Sequence, residues 1–364
     1  MPKIFTKFFL RCADWIGNIR QLFKLKIGAI LSFVFSFVLV FSCLYVTAQR
    51  GIMVKKIRKS LPEIITSLNE VGVDLAYDNI KFNPVAFFPL MKIDNPQLYS
   101  LDERQYWNLQ FDNIKIYTNL LGSPQLQIKF ADHGAFSHGN TLYETTSGKT
   151  ILRIDDLLSQ PEFLIRSEKF NIKNLALFNN ITFWLKPSNL TEQTAKGLPF
   201  YQSLLEINNV TINGMVNYPL SSYIKNISAK ADIIGKFSFD DDLLTSAESW
   251  VKNGGFMDVP QLIVQWAPLT LVGRGNVHLN GNLQPTINFN TSSKGLLKLI
   301  KSLQEISFIN SSNVYVANIL LSNKAFRLNP EDEELTITTP ISYSDGKISI
   351  ENLVIKDFDK ETQQ

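Results

Sequence analysis

The sequence predicts a mainly β protein: an elongated, curved antiparallel sheet with a few short helices, preceded by one transmembrane helix. Three observations predict it. One uncharged run, 27–48, is long enough to cross a bilayer. Beyond residue 74 the apolar residues recur with period two. Turn-forming groups such as Gly122-Ser123-Pro124, Asn217-Tyr218-Pro219 and Asp345-Gly346 punctuate those runs. The bulk composition agrees. In 364 residues, 45% hydrophobic against 19% charged side chains is too apolar for a disordered chain and too polar for a multi-span membrane protein. A net charge of +3 from 36 basic and 33 acidic residues gives no general basic field, so nucleic acid is not an expected partner.

Residues 1–26 form a basic leader carrying Lys3, Lys7, Arg11, Arg20, Lys24 and Lys26. The uncharged run 27–48 follows and would reach about 33 Å as a helix. Val46-Thr47-Ala48 also resembles a cleavage site, but the run is long for a signal peptide and a long leader precedes it, so an uncleaved anchor is expected. Arg50, Lys55, Lys56, Arg58 and Lys59 on the far side nearly balance the leader's charges. A signal-anchor layout places the leader in the cytoplasm and the β-rich remainder in the periplasm.

Residues 49–73 predict a juxtamembrane helix, with Ile57, Leu61, Ile64, Leu68 and Val71 at helical spacing and Pro62 bending it or marking its first turn. It either packs on the end of the domain or serves as a basic stalk at anionic headgroups. Cys12 and Cys43 are the only cysteines, so the domain beyond them is expected to hold no disulfide.

The main domain is expected over 74–358, with a polar, disordered tail at 359–364. Alternation is plain in Trp107, Leu109, Phe111; Leu126, Ile128, Phe130; Ala229, Ala231, Ile233; Phe237, Phe239; and Ile348, Ile350. A six-residue pattern of apolar, any, Asn, apolar, any, apolar recurs as YDNIKF (77–82), FDNIKI (111–116), IKNLAL (172–177), FNNITF (178–183), INNVTI (207–212), IKNISA (224–229), VANILL (316–321) and IENLVI (350–355). Apolar residues three apart face opposite sides of a regular strand. A bend at the Asn, which tolerates the left-handed conformation, would bring both to one face. The pattern therefore predicts a repeated strand–bend–strand unit.

The clearest strand pair spans 262–289. Leu262, Val264 and Trp266 share one parity; beyond Ala267-Pro268, Leu269, Leu271, Val277, Leu279, Leu283, Ile287 and Phe289 share the other. Gly273 and Gly275 fall on the same face and leave room for a covering helix, a neighbouring backbone or a ligand. These twelve residues are the candidate lining of an apolar groove, and a closed core would explain their parity equally well. Two helices are expected: one capped by Asp240–Asp242 and running to Asn253, stopped by Gly254-Gly255, and one near 294–306.

Catalytic patterns are missing. His133 and His138 flank an expected loop without further metal ligands; Ser147-Gly148-Lys149-Thr150 lacks the glycine a phosphate loop needs, Tyr143 standing there, and reads as a hairpin turn; Gly273-x-Gly275 runs on to His278 where a dinucleotide fingerprint needs glycine. The chain is expected to be no enzyme and to use no metal or cofactor.

The block GGFMDVPQLIVQWAPLTLVGRGNVHLNGNLQP (254–285) resembles an uncharacterised bacterial family, domain of unknown function 2125: Gly-Gly, an alternating strand, Trp-x-Pro, a glycine-bearing strand, then Leu-x-Pro. FNPVAFFPLMKIDNPQL (82–98) and SDGKISIENLVI (344–355) are similar to it too, with Phe87-Phe88 standing where the family has a glycine ahead of the proline. The family has no assigned activity. By fold it looks related to AsmA-like envelope proteins, which implies an anchored, curled sheet forming a groove and a link to lipid handling.

The expected function is thus non-enzymatic: an inner-membrane protein shielding phospholipid or other acyl chains in an apolar β-groove, for envelope maintenance. A scaffold that binds another envelope protein is the rival reading.

Overall fold

A computed structural model describes residues 27–357 apart from 71, 86–87, 101–106, 120–124, 140, 156–160, 189–198, 214–219, 236–242, 282, 307–308, 310, 328–333 and 352. Its contacts divide into two units, Met1–Lys59 with Asn83–Phe88, and Ser60–Phe82 with Pro89–Gln364.

The span and juxtamembrane helix expected separately are one helix, α1, Ile27–Glu70, with Pro62 inside it. The Pro62 carbonyl, still available to a neighbour, accepts from Thr66 Oγ1 at 3.0 Å. Among the described residues no helix is long and apolar enough to cross a membrane; the side chains of 27–39, 41 and 43 lie outside that description. In the first unit the Arg50 guanidinium is 2% exposed and donates to the Val85 carbonyl at 2.7 Å and the Phe88 carbonyl at 2.6 Å.

The second unit holds a single curved antiparallel sheet of 21 strands. Its first ten strands come in consecutive pairs: β1 (Val73–Ala76) and β2 (Asn79–Phe82), β3 (Met91–Asp94) and β4 (Gln97–Ser100), β5 (Trp107–Phe111) and β6 (Asn113–Asn119), β7 (Gln125–Phe130) and β8 (His133–His138), β9 (Thr141–Thr146) and β10 (Lys149–Asp155). Each pair is one strand broken by a bend. The halves enter two branches, β10-β7-β6-β3-β2 and β9-β8-β5-β4-β1, which meet at β11 (Glu162–Ile172). From there the sheet runs on through β12 (Ala176–Pro187), β13 (Pro199–Ile212), β14 (Tyr223–Ile234), β15 (Phe256–Trp266), β16 (Leu269–Leu279) and β17 (Pro285–Lys294). Beyond β18 (Ala325–Phe326), β19 (Thr336–Ser344) pairs with β17 and leads to β20 (Lys347–Ile350) and β21 (Leu353–Asp357).

The bends align into one crease across the sheet. Asp78 N–H donates to Asp94 O, Asn95 N–H to Asp112 O, Asp112 N–H to His133 O, Ser147 N–H to Asp132 O and Gly148 N–H to Glu168 O. The line continues through Lys169 and Asn209, both with positive φ (50° and 53°), at positions where the ladders β11–β12, β12–β13 and β13–β14 each skip a pair. Five of the eight Asn repeats, 77–82, 111–116, 178–183, 207–212 and 224–229, lie on this crease. A bend is real there, and Ile207 and Val210, and Ile224 and Ile227, each three apart, pack in one cluster with Trp266; only Asn209 is itself the bend residue, while Asn79 and Asn113 open the strands that follow bends at Asp78 and Asp112.

The other three repeats differ. The 172–177 repeat is the β11–β12 hairpin, with Asn174 at φ 62°, and 350–355 is the β20–β21 turn, with Glu351 at φ 58°. The 316–321 repeat lies in a helix, because Val314, Ala317 and Leu321, all buried, recur at helical spacing. His133 and His138 are the ends of β8, not loop residues, and Ser147–Thr150 crosses a bend rather than a hairpin.

Among the described residues three helices accompany the sheet. α2 (Leu243–Lys252) lies inside the expected bounds; its expected cap, Asp240–Asp242, lies outside the described residues. α3 (Leu296–Glu305) is the expected second helix, and α4 (Ser311–Ser322) was not expected. α3 and α4 bury Leu296, Ile300, Val314, Ala317 and Leu321 against Ile337, Ile350 and Ile355 of the sheet, with Leu269 and Ile341 packed alongside.

Candidate apolar sheet face and cavity

The strand registers place apolar residues on one face of the sheet across thirteen strands. One row reads Phe82, Met91, Ile116, Ile128, Leu152, Ile165, Phe183, Leu205, Ala229, Leu262, Gly273, Thr291, Thr339, each directly opposite the next. The neighbouring row reads Ile80, Ile93, Ile114, Phe130, Thr150, Ser167, Ile181, Ile207, Ile227, Val264, Leu271, Ser293, Ile337. Direct cross-strand partners share a face, so the rows form one strip, apolar from β2 to β16 but for Thr150 and Ser167, and giving way on β17 to the buried hydroxyls of Thr291 and Ser293.

The twelve residues singled out from the sequence sit at one end of this strip. Leu262, Val264 and Trp266 face Gly273, Leu271 and Leu269, while Gly275, Val277 and Leu279 face Phe289, Ile287 and Pro285. The change of parity is therefore a shared face, and a register shift between Val259 and Leu262 absorbs the extra residue. Leu283 is the exception, standing in the turn between β16 and β17 with φ 58°.

The face is not uniform. Leu271 is buried, Leu269 packs beside the α3–α4 core, and Trp266 packs in the β12–β14 cluster while its indole N–H donates to Ser221 O at 2.6 Å. These three fill core. Leu262, Val264, Val277, Leu279, Ile287 and Phe289 are half-buried. Farther from the helices, Phe183, Leu205 and Ala229 are half-buried and Ile165 is 37% exposed. Tyr201, which faces Ile233 in the row leading to Met257 and Val277, is buried, and that burial raises its hydroxyl pKa above the ordinary value.

Gly275 owes its identity to a neighbouring backbone: a Cβ there would meet the Asn288 carbonyl oxygen at 1.9 Å. Gly273 is looser, the nearest atom being Thr291 Cγ2 at 3.2 Å.

The sequence reading missed a cavity of about 560 Å³ in the inner angle of the crease. Leu109, Phe111, Gly134, Phe136, Tyr143 and Thr145 line it from one branch, and Phe130, Thr150 and Leu152 from the other, with Ile165, Phe170 and Ile172 of β11 at the junction. The ring centroids of Phe111 and Phe130 are 4.9 Å apart, and Phe136 stacks on Tyr143 at 6.2 Å. Gly134 leaves the space for Phe111, since a Cβ there would lie 3.0 Å from Phe111 Cδ1 and 2.8 Å from Gln110 O. Asp132 and Tyr143 are the ionisable side chains among its described lining residues. A volume within the range of small-molecule sites and an almost wholly apolar wall suit a hydrocarbon ligand. The signal for this site was available in the alternation of 107–111 and 126–130. What joins those runs is pairing between segments distant in sequence, which alternation alone does not encode.

No curated protein matches the chain. Residues 220–353, which carry all of β14 to β20, and with them every groove residue singled out from the sequence, match the model of a family described as an uncharacterized protein conserved in bacteria, domain of unknown function 2125.

Proposed function

We propose that this protein is a non-enzymatic lipid-handling factor of the bacterial envelope, anchored in the inner membrane by residues 27–48, whose periplasmic sheet shields acyl chains on its apolar face. The relation to AsmA-like envelope proteins belongs to the same reading. The observation that carries it is the run of apolar residues on one sheet face from β2 to β16, half-buried at Phe183, Leu205 and Ala229 and opening at Phe130, Leu152 and Ile165 into the creased cavity. A single small ligand needs one pocket; a strip suits long chains, each CH₂ that leaves water being worth about 0.8 kcal/mol.

The test is photo-crosslinking in full-length protein within its native membranes. Benzoylphenylalanine at Phe183, Leu205 or Ile165 should capture phospholipid, whereas the same group at Lys230, on the opposite face, should not. Equal labelling at all four positions, or none with intact protein, overturns the reading.

The scaffold reading has one observation of its own. Tyr315, Val316, Ile319 and Leu320 of α4 are 70, 42, 48 and 40% exposed and form an apolar helix surface suited to a protein partner. Crosslinks from Tyr315 to a protein, without lipid capture at Phe183, would favour it.

A further inference from the structure

We infer that Val85 and Phe88 make a second membrane contact, held at the bilayer interface by Arg50. This rests on the membrane-span reading of 27–48. Arg50 is the first charged residue after the uncharged run, and its charge is withdrawn from the surface. Its two terminal nitrogens donate to the Val85 and Phe88 carbonyls, a pair of charge-assisted bonds that ties both residues to the helix. Val85 N–H donates to Asn83 Oδ1 at 2.9 Å and closes the loop's entry.

The clamp turns apolar side chains outward. Val85 is 47% and Phe88 57% exposed, and in the same unit Leu44, Tyr45 and Ile52 are 50, 60 and 53% exposed. An unpaired cation at this height would be costly in hydrocarbon; carbonyl ligation lowers that cost, as in buried intramembrane arginines. Lys55, Lys56 and Lys59 are exposed, and lie about 7–14 Å farther along the helix axis, at the height where anionic headgroups would meet them. Apolar surface, a carbonyl-ligated cation and then an exposed basic band follow the order of a bilayer's core, interface and headgroup layers. Phe88 would sit in the interfacial layer as an aromatic anchor.

The experiment uses the full chain with Cys12→Ser and Cys43→Ser, reconstituted in vesicles of phosphatidylcholine and phosphatidylglycerol. A nitrobenzoxadiazole label is placed singly by Phe88→Cys, Leu44→Cys or Lys56→Cys. The label at 88 should be quenched by shallow spin-labelled lipid and protected from iodide, and Arg50→Lys, which keeps the charge but not the two-pronged geometry, should remove most of that quenching while leaving 44 unchanged. Iodide access at 88 with lipid quenching at 44 overturns the loop contact alone. Iodide access at both overturns the span and the loop contact with it. Unchanged quenching at 88 in Arg50→Lys overturns the clamp.

Discussion

Gly275 passes so close to Asn288 that a β-carbon on the one would stand 1.9 Å from the carbonyl oxygen of the other. Nothing flexible lies between them, because the obstructing atoms belong to the backbone of β17. Gly275→Ala should therefore force β16 and β17 apart and destabilise the domain by about 1–3 kcal/mol. Gly273→Ala, whose nearest neighbours would be a threonine methyl at 3.2 Å and the Asn290 carbonyl oxygen at 3.4 Å, should cost less. Urea denaturation of the two variants gives the comparison, and equal midpoints would contradict the close approach.

Two positions on the same sheet face, one under the helices and one away from them, should respond differently to charge. Ile337 is 1% exposed beneath the α3–α4 core, whereas Val277 is half-buried between Met257 and Ile287. Ile337→Glu buries an unpaired carboxylate and should abolish the cooperative thermal transition. Val277→Glu can turn its carboxylate to water, so the transition should survive while lipid co-purifying with the protein falls. Loss of folding in both variants would mean the strip is closed core throughout.

Why part of this architecture could be read from the sequence is clear from particular residues. The alternation at 262–289 fixes a shared face because direct neighbours in one hairpin are also neighbours in sequence. The bends beside Asn79 and Asn113 and at Asn209 were readable because an apolar pair three apart has only one way to share a face in a strand. The cavity was not readable: Phe111, Phe130 and Phe170 meet only after the chain has crossed between two branches of the sheet. Helix α4 was misread since VANILL satisfies the Asn pattern as well as a helical period, and only the burial of Val314, Ala317 and Leu321 decides between them.

Asn209 carries the crease at φ 53°, and its Oδ1 accepts from the Tyr223 hydroxyl. A β-branched residue cannot hold that backbone without strain, so Asn209→Val should destabilise the domain by about 1–2 kcal/mol. Asn209→Gly keeps the conformation and loses only an exposed hydrogen bond, so its loss should be smaller. Denaturation midpoints in the order wild type, Gly, Val are the expected result; Val at or above Gly would remove the conformational argument.

The anchor makes a separate prediction. A reporter fused after Gln364 should be active only outside the cytoplasm, and the full chain should stay with membranes through a carbonate wash. Release of a soluble form beginning at Gln49 would show that 27–48 is a cleaved signal instead.

Glu351 ties the β20–β21 turn to the rest of the sheet. Its Oε1 accepts from Lys324 Nζ at 2.6 Å and from Thr339 Oγ1 at 2.7 Å. The Lys324 bond, then the Thr339 bond, hold its carboxyl below the usual range. A carboxyl whose folded pKa is depressed adds stability above its unfolded pKa, about 4.3, and loses that contribution as pH falls through the folded value. Glu351→Gln removes the charge but keeps the side chain's length and the strained φ of 58° in a comparable residue. The variant should melt below wild type at neutral pH, and the gap should shrink steadily once the pH drops under the unfolded pKa. Thermal melts across that acid range check the sign. A gap that is constant with pH would mean the turn is held by packing of Ile350 and Ile355 rather than by the carboxylate.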